Sequence, residues 1–292
     1  MIKGFVEFVL RHRLNALAIA VLTFLLPLLS WIASVVVGLV TLRHGWREGG
    51  WIVVSLTLVL AIVFVMMDWM PMGVTPSLFT ALSILTGPVL VWGLAGVLRN
   101  FHSWSQVLTV ACYLGCGLVM LLLALGNDPT PLTGNLADYI GNSPEIEAIV
   151  IWLTTYFSGL QVTFMLLNVF IALVIARGMQ AMVFNPGGLY PELIQIRLPM
   201  HLALFAIAIF LMGLLQIAWA KHLVPVVSLI YFLAGLSVLH FTVQRMRKAW
   251  PWLVGFYGLL LLLFLYVFMA VAALGVVDTW VNVRRQLSTR RS

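Results

Sequence analysis

Charge is what this sequence has least of. Only 9% of its 292 residues are charged, while 63% are hydrophobic. The few lysines and arginines stand in short gaps between apolar runs that follow one another from Leu14 to Val277. Globular proteins carry about 25% charged residues, so this chain has too little polar surface to be a soluble monomer. The sequence therefore predicts a polytopic membrane protein.

The apolar runs also lack the alternation of apolar and polar residues that a membrane β-barrel requires. Trp252–Gly275, for example, shows no alternation. In hydrocarbon every backbone N–H and C=O group needs a partner within the protein, which leaves helices as the spanning elements. We therefore expect an all-α, polytopic transmembrane helix bundle, with residues 1–292 forming a single integral membrane domain.

About eight apolar runs are candidate spans, since a spanning helix needs roughly 20 apolar residues. They are Leu14–Val40, Trp51–Met67, Ser77–Leu98, Trp104–Leu125, Ala148–Ala176, Pro199–Ala220, Leu223–Phe241 and Trp252–Val277. The first is too long for one ordinary span and contains Pro27 near its middle. Because proline removes a backbone donor and clashes with the preceding turn, we expect the first run to be broken at Pro27.

The positive charges indicate how the chain is oriented. Four arginines follow alternate runs: Arg43, Arg99, Arg177 and Arg245. The gaps 68–76 and 126–147 contain no lysine or arginine. If the first run turns back at Pro27, the four arginines share the N-terminal side, which the positive-inside rule makes cytoplasmic. Residues 126–147 are then an extracytoplasmic loop, and residues 179–198 are a cytoplasmic interfacial connector.

The C-terminal tail conflicts with this orientation. The same count of spans places the residues after Val277 outside, yet the tail is rich in arginine, with Arg284, Arg285, Arg290 and Arg291. Either the last run also turns back, or the tail is an exception to the positive-inside rule. Both alternatives stay open from the sequence.

The sequence lacks the residues that several kinds of chemistry require. The net charge of +7 is spread over helix ends, where it suits anionic lipid, so nucleic acid is not an expected partner. The only cysteines, Cys112 and Cys116, lie in one apolar run and are expected to be buried thiols. No nucleotide-binding, G-x-S-x-G or H-E-x-x-H motif is present. We therefore expect no enzyme, and we assign no catalytic residue, cofactor or metal.

Polar side chains recur on one face of the fifth run. They are Thr154, Ser158, Gln161 and Asn168, at spacings of four, three and seven. Either they bond to neighbouring helices, at about 0.6 kcal/mol each, or they form the polar wall of a ligand pocket. His240 offers a similar choice between a ligand contact or proton relay and an interfacial histidine bonded to a backbone carbonyl. These five residues are the candidate ligand-binding set.

The connector after the fifth run has its own pattern. Asn185-Pro186-Gly187-Gly188 is a strong turn and helix stop. The segment that follows mixes apolar and polar residues as an amphipathic piece in the headgroup zone does, and Glu192 is placed to pair with Arg197 across it. Asp278, seven residues before Arg285, is a candidate for a local ion pair or for docking on the cytoplasmic face.

Several short motifs along the chain point to a family. They are Leu42-Arg43-His44-Gly45, Asn185-Pro186-Gly187-Gly188, Arg197-Leu198-Pro199, Gly235 with His240-Phe241, and Gly275 with Asp278, Trp280 and Arg284. Their order, from about residue 14 to 286, resembles that of the YybS-like family of uncharacterised bacterial integral membrane proteins. The resemblance implies the bacterial inner membrane. It also implies a distant similarity to the substrate-binding subunits of energy-coupling-factor vitamin transporters and to the rod-shape protein MreD.

In that broader group a short, broken helix near the N-terminus is common, which agrees with the expected break at Pro27, and the fold has about six helices. The cytoplasmic-face motif of this chain comprises Arg43, His44, Asn185, Pro186, Gly187, Gly188, Glu192, Arg197, Asp278 and Arg284.

Two functions follow as expectations. The first is a transport-type membrane protein that binds a small molecule or lipid headgroup between helices, near the Thr154–Asn168 face. Such a protein needs an ATPase partner, because this chain has no nucleotide-binding motif. The second is a non-enzymatic envelope scaffold, similar in role to MreD, whose segments Asn185–Pro199 and Arg245–Lys248 dock a protein partner.

Overall fold

The computed structural model describes residues 2–26, 29–69, 78–126, 144–246, 249–281 and 284. Within these ranges the chain forms twelve helices and no strand, which confirms the all-α prediction. Six helices are long and apolar enough to cross a membrane, or seven if a bent pair at the N-terminus counts as one span. Three shorter apolar helices accompany them. The chain is a multi-pass membrane protein.

The helices are α1 (Ile2–Arg11), α2 (Arg13–Leu25), α3 (Ser30–His44), α4 (Trp46–Trp69), α5 (Leu78–Phe101), α6 (Trp104–Ala124), α7 (Pro144–Phe184), α8 (Leu189–Leu193), α9 (Met200–Leu214), α10 (Ala218–Val243), α11 (Ala249–Leu262) and α12 (Phe264–Val281).

The expected break of the first run is confirmed. Helix α2 ends at Leu25 and α3 begins at Ser30, while Pro27 itself lies outside the described residues. The two helices pack along each other. A second break was not predicted from the sequence: α1 and α2 are bent by 114° around His12.

Three other runs differ from their predicted bounds. The fifth is longer, since α7 has 41 residues, or roughly 60 Å at 1.5 Å per residue, and includes the first residues of the predicted connector. The predicted span Pro199–Ala220 is too long, because Gln216 has a left-handed φ of 63° between α9 and α10. The last run is divided at Leu263 into α11 and α12.

The described chain divides into two compact units. The first unit contains α1 to α5 and, within Met165–Glu192, the second half of α7 and most of α8. The second unit contains most of α6, the first half of α7 and α9 to α12. Helix α7 therefore contributes a different segment to each unit.

Helix α3 is the centre of the first unit. Every residue from Ala33 to Leu42 is buried, and α3 packs against α2, α4 and α5. A Cβ at Gly38 would lie 3.0 Å from Val91 and 3.1 Å from Ala176, so the small residue lets α3 approach α5 and α7 closely. Small residues are the usual means of close helix packing in membranes.

The second unit depends on two glycines at which helix backbones meet. A Cβ at Gly235 of α10 would lie 1.9 Å from the carbonyl oxygen of Val271 on α12. A Cβ at Gly275 of α12 would in turn lie 2.2 Å from the carbonyl oxygen of Tyr231 on α10. Neither position can accept a side chain unless the two helices move apart.

We therefore expect Gly235→Ala to destabilise the protein by about 1–3 kcal/mol, because the overpacked helix pair must separate. Gly255→Ala on α11 is the matched control, since a Cβ there meets nothing within 4 Å. Alanine is the better helix former, so the control should be neutral or slightly stabilising. Thermal unfolding in detergent measures both variants, and equal effects would contradict the packing described here.

Candidate functional site: a cavity between α2, α3, α5 and α7

A cavity of about 270 Å³ lies in the first unit where these four helices meet, and we call it the Asn168 cavity. Its lining residues are mostly apolar, with a few polar side chains among them: Phe24, Ser30, Trp31, Ser34, Ile84, Gly87, Pro88, Met165, Asn168, Val169 and Ala172. Ligand sites in proteins commonly combine apolar walls with a small number of polar groups.

Two interruptions of regular helix supply the polar character of this cavity. The break between α2 and α3 places Ser30 and Ser34, in the first turns of α3, at the cavity wall. Pro88 lies inside α5 and has no backbone N–H, so it cannot donate to the carbonyl of Ile84 one turn earlier. Ile84 and Pro88 both line the cavity. Backbone N–H and C=O groups that have no partner within a helix are tolerated at membrane depth where they line a cavity of this kind.

Asn168 of α7 also lines this cavity. Its amide supplies both donors and an acceptor, and the serine hydroxyls can do either. Among the described residues that line the cavity, none is charged. The arrangement therefore suits a small uncharged molecule with hydrogen-bonding groups on an apolar body.

The other residues of the predicted stripe do not line this cavity. Thr154 donates from its hydroxyl to the carbonyl of Ile151 on the same helix, at 2.9 Å. Ser158 is buried, and next to it Gly159 approaches the backbone of α10, where its Cβ would lie 1.9 Å from the carbonyl oxygen of His222. Gln161 is half-buried. A ligand-binding role for these three residues stays a prediction.

His240, in the second unit, pairs with Tyr257 of α11. Its Nε2 atom lies 2.8 Å from the tyrosine hydroxyl. The partner is thus a side-chain hydroxyl, whereas the structural interpretation of the sequence expected a backbone carbonyl. A tyrosine hydroxyl both donates and accepts, so this pair is satisfied whichever ring nitrogen carries the proton.

A polar network closes the far end of α7 in the first unit. Arg177 donates from Nε and Nη2 to both carboxylate oxygens of Glu192, and from Nη1 to Gln180 at 2.7 Å. The indole N–H of Trp104 donates to the same carboxylate at 3.2 Å. The sequence proposed Arg197 as the partner of Glu192, and it missed Arg177.

Three of the arginines used to orient the chain meet at this end of the first unit. Arg99, on α5, donates from Nη1 to the carbonyls of Thr41 and Leu42 at the end of α3, at 3.3 and 3.1 Å. Gln180, one turn after Arg177, donates to the same Leu42 carbonyl. The Arg43 guanidinium lies 3.9 Å from the ring centre of Phe184. The ends of α3, α5 and α7 therefore lie together, as a shared membrane side requires.

The predicted turn after the fifth run is confirmed. Helix α7 ends at Phe184, and the N–H of Gly188 donates to the carbonyl of Asn185 at 3.0 Å. Gly187 has a φ of +83°, a conformation that glycine adopts without strain.

The C-terminal motif residues form a cluster within the second unit. Arg284 donates from Nη2 to the carbonyl of Ile196 at 2.6 Å and to the hydroxyl of Ser237 at 3.0 Å, and it lies 3.8 Å from Asp278. Arg197 donates to the carbonyl of Thr279 at 3.0 Å. Burial lowers the pKa of the Arg284 guanidinium, Asp278 acts in the opposite direction, and Arg197 adds a smaller lowering effect. These bonds tie residues 193–197 to α10 and to the end of α12.

The same cluster bears on the position of the tail. The sequence paired Asp278 with Arg285, which lies outside the described residues, and the structure pairs it with Arg284. Arg245 and Arg284 both lie over the ring of Phe241, at 4.2 and 5.7 Å from its centre. The first arginine of the tail is therefore beside Arg245, which favours the alternative in which the tail shares the side of Arg245.

Comparison with family models, with curated proteins and with solved structures finds no match for this chain. Among the described residues no group of His, Cys, Asp or Glu side chains is arranged to hold a metal ion. Cys112 and Cys116 are buried and free, as expected.

Removal of Arg177 tests the network at the end of α7. We expect Arg177→Ala to destabilise the protein by about 1–3 kcal/mol, since Glu192 loses its bidentate partner in a site that is only partly solvated. The double variant Arg177→Ala/Glu192→Ala should be less destabilised than the single one, because no unpaired carboxylate remains. Thermal unfolding measures both, with exposed Arg47→Ala as control. The pairing would be contradicted if the double variant lost as much stability as the single variants Arg177→Ala and Glu192→Ala lose together.

Proposed function

We propose that this protein is a non-enzymatic, transport-type protein of the bacterial inner membrane that binds a small uncharged molecule in the Asn168 cavity. The observation that carries the proposal is the coincidence of Ser34, Asn168 and the proline-interrupted segment of α5 around one space between helices. Polar groups inside membrane helices commonly mark a binding site or pathway. The resemblance to the YybS-like family, and through it to substrate-binding subunits of vitamin transporters, supports the same proposal.

The size of the cavity limits the ligand. Its volume of about 270 Å³ is near the lower end of protein ligand sites, which run from about 300 to 1,000 Å³. The aromatic side chains of Phe24 and Trp31 add apolar surface to the cavity that Asn168 also lines. The chain has no nucleotide-binding motif, so transport driven by ATP requires an ATPase partner.

An envelope scaffold is the second candidate. Phe184 and Tyr190 are exposed on either side of the turn at residues 185–188, at the end of the first unit where Arg43, Arg99 and Arg177 meet. Exposed aromatic residues beside arginines are typical of protein interfaces. This surface would dock a protein partner without any ligand in the cavity.

Native mass spectrometry of gently extracted protein distinguishes the two candidates, because it reports bound small molecules and associated subunits together. We expect a single small-molecule adduct whose occupancy falls about tenfold in Ser34→Ala/Asn168→Leu, since two hydrogen-bonding groups are lost. Thr154→Val is the matched control, because the Thr154 hydroxyl bonds within its own helix. A protein subunit without any adduct in the wild type would support the scaffold and contradict ligand binding.

A further inference from the structure

A larger cavity lies at the elbow between α1 and α2, and we call it the elbow cavity. It has a volume of about 590 Å³ and is bounded by the 114° bend at His12, the end of α3 and the beginning of α4. Its apolar wall includes Leu14, Leu17, Val40 and Ile52.

Basic side chains form the rim of the elbow cavity: Arg11, His12, Arg13 and His44. Glu48 is the acidic residue of the lining, and it is already bound by Arg13 at 2.7 Å. Arg11 and His44 also line an adjoining cavity of about 700 Å³, together with Arg43 and Glu7. The rim therefore carries more positive than negative charge.

The pKa of His44 at this rim lies below its ordinary value, with burial as the largest cause. Arg43 lowers the pKa further, Glu48 raises it, and Arg99 and Arg13 add smaller lowering effects. Arg43 of α3, Arg99 of α5 and Arg13 at the elbow thus act on one point of the rim. An anionic group placed there would be favoured by the same charges.

Helix α1 has the form of a helix that lies in the membrane surface. Val6 and Val9 are buried against the protein, whereas Lys3, Glu7 and Arg11 lie on other faces of the helix. Amphipathic helices with basic polar faces bind at the boundary of headgroups and acyl chains. The exposed rings of Phe5 and Phe8 add apolar surface at that depth.

A path for an acyl chain leads away from the elbow cavity. Trp51 lines the cavity and is 67% exposed, and Val54 and Leu58 continue the exposed apolar face along α4. These residues recur at helical spacing, so they form one stripe on the lipid side of the helix. A free phosphate would make no use of this stripe, whereas a phospholipid would cover both it and the basic rim.

We propose that the elbow cavity is a binding site for one anionic phospholipid. Its phosphate lies among Arg11, His12 and Arg13, where guanidinium groups can donate paired hydrogen bonds to phosphate oxygens. One acyl chain follows α4 over Trp51. Basic clusters next to membrane helices are a recognised basis for anionic lipid binding. The site is separate from the Asn168 cavity and does not depend on the proposed function.

The test uses the full chain purified in detergent, with phosphatidylglycerol and phosphatidylcholine of equal chain length added at matched concentrations and bound lipid counted by native mass spectrometry. We expect one retained phosphatidylglycerol per protein and much weaker retention of phosphatidylcholine. Arg11→Gln/Arg13→Gln should weaken phosphatidylglycerol binding roughly tenfold or more, since each basic group near the surface contributes to anionic lipid affinity.

Two control variants distinguish binding at a specific site from a general effect of positive charge. Lys3→Gln/Arg47→Gln removes the same charge from α1 and α4 at exposed positions that line neither cavity, and it should leave binding within about twofold. Arg11→Lys/Arg13→Lys keeps the charge but loses the paired guanidinium bonds, so its binding should lie between that of the wild type and that of Arg11→Gln/Arg13→Gln. Equal binding of the two lipids, an equal loss in the Lys3 and Arg47 control, or displacement of the lipid by a tenfold excess of inorganic phosphate would each overturn the proposal.

Discussion

The need to pair every backbone N–H and C=O group in hydrocarbon determines the rest of this structure. It dictates helices throughout the described residues, and it makes each interruption of a helix a place where polar groups must collect. The break between α2 and α3 and the proline inside α5 are two such interruptions, and both border the Asn168 cavity. A potential ligand site thus arises where the chain departs from regular helix.

The arginines serve the same requirement at the ends of helices. Arg99 donates to the last carbonyls of α3 in the first unit. In the second unit, Arg197 donates to the carbonyl of Thr279 in the last turn of α12, while Arg284 donates to the carbonyl of Ile196 between α8 and α9. A cation is favoured at a helix C-terminus, where carbonyls have no intrahelical donor. The residues that indicate orientation in the sequence are therefore also those that complete the backbone hydrogen bonding at these ends.

Local features could be predicted from the sequence, and contacts between distant segments could not. The break near Pro27 and the turn at Asn185–Gly188 follow from the backbone limits of proline and glycine. The bend at His12 was missed because a polar triplet before an apolar run looks like the flank of a span. Thr154 and Asn168 share a face but lie 14 residues, or roughly 21 Å, apart, so one small cavity cannot include both. The residues that line the cavity with Asn168 come from α2, α3 and α5, and no spacing in the sequence reports them.

Cysteine accessibility tests the central claim most directly. That claim is that the chain is embedded in the lipid bilayer with the ends of α3, α5 and α7 on one side. In a background with Cys112 and Cys116 replaced by alanine, single cysteines are introduced at Arg47, His102 and Pro186, and at Asn135 in the predicted extracytoplasmic loop. Labelling of intact cells and of inverted vesicles with a membrane-impermeant maleimide should place the first three on the cytoplasmic side and the fourth opposite. Any one of the first three on the side of Asn135 would contradict the account.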